Sequence, residues 1–198
     1  YWLTRARAGF RMGHSQVVDS LMEGLTDSGC QLPMAMTAEN LAVQYSLSRK
    51  ECDAFALESQ KRASEAWVAG EFESEVAPMA DCPRDEHVRP DATPESLSKL
   101  KPVFKKDGVV TAGNASGIVD GAAALVVASE SAVQSRGLRP LGRLVGYGIV
   151  GCDPKIMGIG PVPAIRAALA KTGMKLDQMD LVEVNEAFAP QVLAVAKE

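Results

Sequence analysis

The sequence predicts an α/β protein with a helical, loop-rich first half and a sheet in its second half. One observation predicts this class, and a second limits the chain to globular proteins. After Asp107, short apolar runs alternate with helical segments, an order that is typical of parallel strands covered by helices. The composition, with 46% hydrophobic and 23% charged residues, is that of an ordinary globular domain.

The first half is predicted to contain two helices. Thr37 is a candidate N-cap for a short helix from Ala38 to Tyr45. Ser48 and Glu51 have the spacing of a capping box, and Gly70 is placed to end the helix that the box begins. We expect the charged face of this second helix to lie in solvent, and this face starts with Arg49 and Lys50. A proline-dotted loop follows, and its length is typical of functional loops.

The second half is predicted to alternate strands and helices. The predicted elements are a strand from Gly121 to Ala128, a helix from Glu130 to Arg136, a strand from Leu141 to Val150, a helix from Pro161 to Lys171, a strand from Leu181 to Val184 and a helix from Glu186 onward. Glycines follow the first two helices, where a left-handed residue ends a helix.

Charge and composition exclude several classes of protein. Lys plus Arg is 21 and Asp plus Glu is 25, so the net charge of −4 lacks the basic footprint of a nucleic-acid-binding protein. The longest apolar run, Gly121 to Ala128, is shorter than the roughly 20 residues that span a bilayer. The four cysteines and two histidines have no metal-ligand spacing, so we expect no metal site. We identify no targeting segment, because glycines interrupt the arginine-bearing start.

Three turns carry the chemical interest. The first, Thr111 to Gly117, has little side-chain bulk, so a ligand or another backbone segment could approach it closely. In the functional interpretation Ser116 donates a hydrogen bond to a ligand. The alternative, which the sequence alone favours, is a tight crossing of buried segments.

The second turn, Met157 to Pro163, has two glycines before a helix. Free N–H groups at a helix start can bind an anion, but prolines at 161 and 163 remove two of those donors. A structural turn into the helix is therefore the favoured interpretation.

The third turn, Asn185 to Ala189, lies between a predicted strand and a predicted helix. Asn185 is a good N-cap residue, which by itself would explain it. At the carboxyl end of a strand an amide can also hold a water or polarise a carbonyl oxygen. From the residues alone, the sequence therefore contains half of a ligand site and no evident nucleophile.

Several stretches occur in an order that is specific although each alone is weak. They are Leu32 to Asn40, Thr111 to Gly117, Asp120 to Ala123, Met157 to Pro161 and Asn185 to Ala189. Together they resemble the thiolase family over the whole chain, and within it the 3-ketoacyl-CoA thiolases of mitochondrial fatty-acid oxidation.

The resemblance implies a thiolase-like α/β fold. That fold has two stacked βαβαβαββ halves, buried helices between the sheets and a helical loop domain inserted in the first half. On this template, residues 1–117 are the CoA-binding loop domain. Residues 118–138 end the N-terminal half, and residues 139–198 begin the C-terminal half.

The resemblance also implies roles for individual residues. It places Arg89 at the phosphate end of CoA, where a guanidinium offers a forked donor, and Ser96 assists there in some members. Asn185 matches the asparagine that holds the oxyanion-hole water, with Phe188 beside it. The further CoA contacts, including the walls of the pantetheine channel and the residue at its amide end, are Met34, Leu100, Phe104, Ala112 and Ser116.

In the implied reaction, a cysteine takes the acyl group of a 3-ketoacyl-CoA and releases acetyl-CoA. Incoming CoA then accepts that group, giving an acyl-CoA two carbons shorter. CoA is thus a substrate, and no cofactor or metal is implied. The family's nucleophilic cysteine, its Gly-His-Pro histidine and its Cys-x-Gly cysteine match no residue of this chain.

On the template these three residues lie before Tyr1 and after Glu198. We therefore expect the chain to be an internal portion of an enzyme and inactive alone. The alternatives are a non-catalytic acyl-CoA-binding module and an oligomerisation module.

The expected partners are CoA and acyl-CoA, with a homodimer or homotetramer for the full-length protein, and neither nucleic acid nor a membrane span. The resemblance also implies the mitochondrial matrix as the location.

Overall fold

A computed structural model describes all residues from Tyr1 to Glu198. The helices, in chain order, are α1 (Ser20–Gly24), α2 (Met34–Gln44), α3 (Arg49–Ala69), α4 (Pro94–Ser98), α5 (Glu130–Ser135), α6 (Pro161–Thr172) and α7 (Ala189–Lys197). Three 3-10 helices occupy Ala6–Ala8, Pro154–Ile159 and Leu176–Gln178. The two strands, β1 (Trp2–Leu3) and β2 (Val17–Val18), form one antiparallel pair.

Helix α3 confirms the sequence prediction at both ends. The Ser48 hydroxyl accepts a hydrogen bond from the backbone N–H of Glu51, and the Glu51 carboxylate accepts one from the backbone N–H of Ser48. At the other end Gly70 adopts a left-handed conformation with φ of 75°, which closes the last turn. These local signals explain why the bounds of this helix were predictable.

Helix α2 begins earlier than predicted. It starts at Met34, with Pro33 as the N-cap residue, because the carbonyl of Pro33 already accepts hydrogen bonds from Met36 and Thr37. Thr37 therefore lies inside the helix, and its hydroxyl donates to the carbonyl of Met34 over 2.7 Å. The predicted Thr37 cap is wrong because Thr37 satisfies its hydroxyl within the helix.

The core is formed where α2, α3 and α7 meet. Its buried apolar residues are Leu41, Ala42, Leu47, Cys52, Ala189 and Ala194. The 3-10 helix Pro154–Ile159 packs along α2 and α7, and a Cβ atom at Gly158 would lie only 2.6 Å from the Gln191 side chain. The Met157 to Pro163 turn therefore serves close packing, which agrees with the structural interpretation of that turn.

Helices α5 and α6 are predicted correctly. The Ser129 hydroxyl caps α5, which ends before the left-handed Gly137, while Pro161 begins α6 and the left-handed Gly173 follows it.

The three strands predicted in the second half are absent. Gly121–Ala128, Leu141–Val150 and Leu181–Val184, the unpaired segments hereafter, make no backbone hydrogen bond to any other segment. Their apolar side chains are exposed, with Val126 96% and Ile149 87% accessible. A strand exists only when a second strand lies about 4.8 Å away to accept its hydrogen bonds, and this chain places none beside these segments.

Helix α7 begins at Ala189, so the expected helix start at Glu186 is wrong. Phe188 is extended, with φ of −146° and ψ of 136°, because an antiparallel bridge pairs it with Ala115. In that bridge Ser116 N–H donates to the carbonyl of Ala187 and Ala189 N–H donates to that of Asn114. Asn185 is therefore not an N-cap residue. None of the helices combines the length and the apolar character that a membrane-spanning helix requires.

Candidate functional site

A cleft of about 770 Å³ lies between α3, the Thr111 to Gly117 turn and the loop that precedes α7. Ser116 stands on one wall and Asn185 on the other, so two residues 69 positions apart that the sequence singled out line one cavity. Phe55 and Ser59 of α3 form its floor. The side chains of Ser116 and Asn185 are both exposed, so a ligand in the cleft can reach them. The cleft is the candidate site.

The first wall is supported from beneath by a buried carboxylate. Glu39 of α2 is 1% exposed, and its oxygens accept hydrogen bonds from the backbone N–H groups of Val109 and Val110 over 2.8 to 3.0 Å. Gly108 leaves room for this contact, since a Cβ atom there would overlap the Glu39 carboxylate. The segment Val109 to Val110, which leads into the turn, is therefore fixed to α2.

The turn itself is fixed by Asn114, which is 4% exposed. Its side-chain oxygen accepts from Thr111 N–H over 2.8 Å, and its side-chain nitrogen donates to the carbonyl of Val109 and to Asp53 Oδ1, each over 2.9 Å. A Cβ atom at Gly113 would lie 2.6 Å from the Leu97 and Leu100 side chains. The structural interpretation is therefore confirmed, because the chain crosses tightly at Gly113. Ser116 lines the cleft while its hydroxyl donates to the carbonyl of Ala187 over 3.3 Å, and its contact with a ligand stays a prediction.

The second wall is the segment from Val182 to Glu186. Ser59 of α3 donates to the Glu186 carboxylate over 2.6 Å, which ties this wall to the floor. Asn185, next to Glu186, makes no side-chain hydrogen bond within the chain. Its amide is free to bind a water or a carbonyl oxygen. Phe188 is half-buried in the bridge behind the cleft and does not line it.

A second cavity, of about 510 Å³, contains Arg89. Trp67 and Val68 of α3 form one side, and the loop from Pro83 to Pro90 forms the other. The backbone N–H of Arg89 donates to Gln60 Oε1 over 2.7 Å, and its guanidinium donates to the carbonyl of Glu86. Because Gln60 is adjacent to Ser59, the same turn of α3 positions both cavities.

The remaining predicted CoA contacts line neither cavity. Ser96 is occupied as a cap of α4, since its hydroxyl accepts from Thr93 N–H over 3.0 Å. Leu100 packs on Gly113, while Phe104 and Ala112 are exposed nearby and Met34 is half-buried at the start of α2. The structure brings Ser116 and Asn185 together and places Arg89 apart from them.

The sequence does not predict the polar residues that support the site. Its charge pattern predicts that Arg49 faces solvent, but the Arg49 guanidinium bonds the Asp53 carboxylate at 2.8 Å and the carbonyls of Leu97 and Leu100. That prediction is wrong because α4 packs against the start of α3. The four-residue spacing of Arg49 and Asp53 on a capped helix was the available signal.

None of the cysteines is arranged as an activated nucleophile. Burial, with the Asp53 carboxylate as the next cause, raises the pKa of the Cys52 thiol to about 12. Cys30, Cys82 and Cys152 line neither cavity. No three side chains of His, Cys, Asp and Glu lie close enough together to hold a metal ion.

Comparisons with known families match almost the whole chain. The family described as "Thiolase, N-terminal domain" matches residues 1–131, and "Thiolase, C-terminal domain" matches residues 138–198. Human mitochondrial 3-ketoacyl-CoA thiolase is 56% identical over all of this chain and 52% of its own length. An acetyl-CoA acetyltransferase of Chromobacterium violaceum is 50% identical over 99% of this chain and 53% of its own length. The chain thus spans about half the length of the curated relatives it matches.

Solved structures agree over the same extent. A crystal structure of human mitochondrial 3-ketoacyl-CoA thiolase in complex with CoA has a TM-score of 0.90 and 57% identity, covering 100% of this chain and 51% of that one. The acetyl-CoA acetyltransferase of Bacillus anthracis has a TM-score of 0.90 and 47% identity, with 100% and 52% covered. The chain shares the α/β fold of these proteins over its whole length, which confirms the fold class predicted from the sequence.

Proposed function

The chain belongs to the thiolase family, and we propose that it is the CoA-holding and oxyanion-binding part of a 3-ketoacyl-CoA thiolase. The parent enzyme cleaves a 3-ketoacyl-CoA with CoA, giving acetyl-CoA and a shortened acyl-CoA in fatty-acid β-oxidation. The observation that carries this proposal is the cleft that joins Ser116 to Asn185 in a chain 56% identical to the human mitochondrial enzyme.

The two cavities suit the two ends of CoA. Arg89 lies in the cavity beside Trp67, so a phosphate and an aromatic-stacked base would both find a partner there. Ser116 lies in the other cavity, whose apolar residues Phe55 and Ala56 suit the slender pantetheine arm. The direct support comes from the crystal structure of human mitochondrial 3-ketoacyl-CoA thiolase in complex with CoA.

Asn185 is proposed to act on the thioester carbonyl through a water. When the bond between the α and β carbons of the substrate breaks, negative charge develops on that carbonyl oxygen. A donor that is already in place stabilises this charge more than it stabilises the neutral substrate. The unpaired amide of Asn185 supports this role, because no group of the chain competes for its N–H bonds.

The nucleophile and the acid–base groups are proposed to lie outside the chain. Cys52 is excluded as the nucleophile by its position in the core and its raised pKa of about 12, which leaves almost no thiolate at neutral pH. We expect the chain alone to bind CoA without catalysing thiolysis.

The location and assembly of the parent protein are part of the same proposal. Relatives named as mitochondrial are 52% to 56% identical over the whole chain, which supports a mitochondrial location. The exposed apolar side chains of the unpaired segments suit burial against further protein, as in a homodimer or homotetramer.

The decisive experiment measures thiolysis of acetoacetyl-CoA by the protein expressed from its complete reading frame. We expect Asn185→Ala to lower kcat by about 10²-fold, the effect of one oxyanion donor. Arg89→Ala should raise KM for CoA by about tenfold, as expected for one charge-assisted hydrogen bond. Arg62→Ala is the matched control, because Arg62 lies on the exposed face of α3 outside both cavities.

Each result discriminates between the candidate functions. Thiolysis that Asn185→Ala leaves unchanged would contradict the oxyanion role. Binding of CoA without any thiolysis by the complete protein would favour the acyl-CoA-binding module, and no binding at all would favour the oligomerisation module. Thiolysis by the isolated 198-residue chain would overturn the proposal that the nucleophile lies outside it.

A further inference from the structure

Asp53 lies at the centre of a buried polar chain that joins both walls of the cleft. It is 8% exposed, and both of its carboxylate oxygens accept a hydrogen bond from Arg49 Nε, over 2.9 and 2.8 Å. One of the same oxygens accepts a third hydrogen bond from the Asn114 amide nitrogen, over 2.9 Å. No step of the proposed thiolysis uses any of these three side chains.

On one side these hydrogen bonds extend to α4. The terminal nitrogen of Arg49 donates to the carbonyl of Leu97 over 2.6 Å and to that of Leu100 over 3.0 Å, so one guanidinium bonds Asp53 and the end of α4 together. The side chains of the same two leucines pack on Gly113 of the turn. Leu97 and Leu100, at the end of α4 and just after it, therefore support the first wall, and Asp53 orients them through Arg49.

On the other side these hydrogen bonds extend to the wall that carries Asn185. Asn114, which Asp53 bonds, accepts a hydrogen bond from Ala189 N–H on its main-chain carbonyl, over 2.9 Å. Two residues on, Ser116 N–H donates to the carbonyl of Ala187 over 3.0 Å. These two bonds fix the backbone that carries Asn185 to the backbone that carries Ser116.

The chemistry of the pair gives Asp53 a directing role. A carboxylate only accepts hydrogen bonds, so it forces the Asn114 amide to present nitrogen toward Asp53 and oxygen toward Thr111 N–H. The flipped amide would set oxygen against the carboxylate and against the Val109 carbonyl, and its NH₂ group against Thr111 N–H. One amide orientation, and with it one turn geometry, is therefore selected.

We propose that Asp53 is a positioning residue of the site: acting through Arg49 and Asn114, it holds the Ser116 wall and the Asn185 wall in one fixed arrangement. The proposal rests on the proposed function only for the identity of the ligand, CoA. The relay, by which we mean the hydrogen bonds from Asp53 through Arg49 and Asn114 to the two walls, exists in the free protein and is testable without a ligand. Because a buried ion pair adds little stability over an apolar replacement, a role in fixing geometry accounts for this pair better than a role in stabilising the fold.

The test compares two variants of the protein expressed from its complete reading frame. Asp53→Asn keeps the shape but removes the carboxylate that both Arg49 and the Asn114 amide contact, which leaves only the Val109 carbonyl and the Thr111 N–H group to orient that amide. Glu58→Gln is the matched control, because Glu58 forms the same kind of four-residue pair with Arg62 on α3, but in solvent.

The first readout is hydrogen exchange of the Ser116 and Ala189 amides without ligand. Asp53→Asn should speed their exchange by at least tenfold, relative to amides of α6, whereas Glu58→Gln should leave it unchanged. Because Asn has nearly the same size as Asp, a side chain that merely fills space would leave the exchange unchanged in Asp53→Asn. Unchanged exchange in Asp53→Asn overturns the proposal.

The second readout is the dissociation constant for CoA, measured by calorimetry. A relay that serves the site should weaken CoA binding by about tenfold in Asp53→Asn and leave it intact in Glu58→Gln. Equal CoA affinity in Asp53→Asn and the wild type overturns the positioning role. If the wild-type protein does not bind CoA, the proposed function fails, while the exchange experiment still decides whether the relay exists.

Folding of the variant is controlled separately. If Asp53→Asn does not fold, Arg49→Lys tests the same relay, since it keeps the charge and loses the fork that reaches the carbonyls of Leu97 and Leu100. Unchanged exchange at Ser116 and Ala189 in that variant overturns the proposal in the same way.

Discussion

The packed region and the unpaired segments both contain large apolar side chains but bury them to opposite extents. The packed region, made of α2, α3, α7 and the 3-10 helix Pro154–Ile159, buries Leu41 and Cys52 completely. The unpaired segments leave Leu125 87% and Val126 96% exposed. Apolar character therefore does not decide burial in this chain. Burial depends on whether an element can satisfy its own backbone.

A helix satisfies its backbone from within and then needs only one apolar face covered. The capping box at Ser48 and the left-handed Gly70 complete α3 using residues adjacent in sequence. A strand must find its hydrogen-bond partners in another segment, and none of the three unpaired segments has such a neighbour. The same apolar residues that would build a sheet are thus left in solvent.

The largest expected effect tests burial directly, with one substitution at two sites of the 198-residue chain. Leu41→Ala removes a fully buried side chain and should lower the free energy of unfolding by about 2 to 5 kcal/mol. Leu125→Ala removes an exposed one and should change it by less than about 0.5 kcal/mol. Urea unfolding measures both, and equal losses would show that the unpaired segments are covered in solution.

A smaller effect is expected where an unpaired segment touches a helix. A Cβ atom at Gly148 would overlap the Ala164 carbonyl and lie 2.9 Å from the Ala168 nitrogen, both in the backbone of α6. Gly148→Ala should therefore lower the free energy of unfolding by about 1 to 3 kcal/mol. Gly151→Ala has open space around it and should be neutral or slightly stabilising. An equally harmless Gly148→Ala would mean that this segment does not rest on α6.

The smallest effect concerns the cap of α3. Ser48→Ala should cost about 1 kcal/mol at neutral pH, as for other N-caps. Hydrogen bonds from the Ser48 side chain and backbone lower the pKa of Glu51 below its ordinary value of 4.5. Because the folded pKa is the lower one, the part of the stabilisation that comes from the Glu51 carboxylate is complete above pH 4.5 and disappears as the pH falls through the folded pKa.

The pH dependence provides its own control. The unfolding midpoints of the wild type and Ser48→Ala should differ more at pH 7 than at pH 3, where the hydrogen bond from the Glu51 N–H group to the Ser48 hydroxyl still stabilises the wild type. A difference that persists undiminished at low pH would indicate that the Glu51 carboxylate takes no part in the cap.

The sequence by itself determined two things: the helices whose ends carry local signals, and the family to which the chain belongs. Ser48, Gly70, Gly137 and Gly173 mark helix ends through local backbone conformation and bonds to near neighbours, so these ends can be predicted from the sequence. The motifs around Ser116 and Asn185 identified the family because their order is specific.

Tertiary structure decided the rest, because it depends on groups distant in sequence. Because of the Ala115–Phe188 bridge, α7 begins only at Ala189. Asn185 is therefore not an N-cap residue, although its local sequence favours a helix start there. Arg49 faces α4 rather than solvent, and Asp53 meets Asn114 across 61 positions. Strand pairing also depends on partners far along the chain, so three apolar runs with strand-like sequences remain unpaired here.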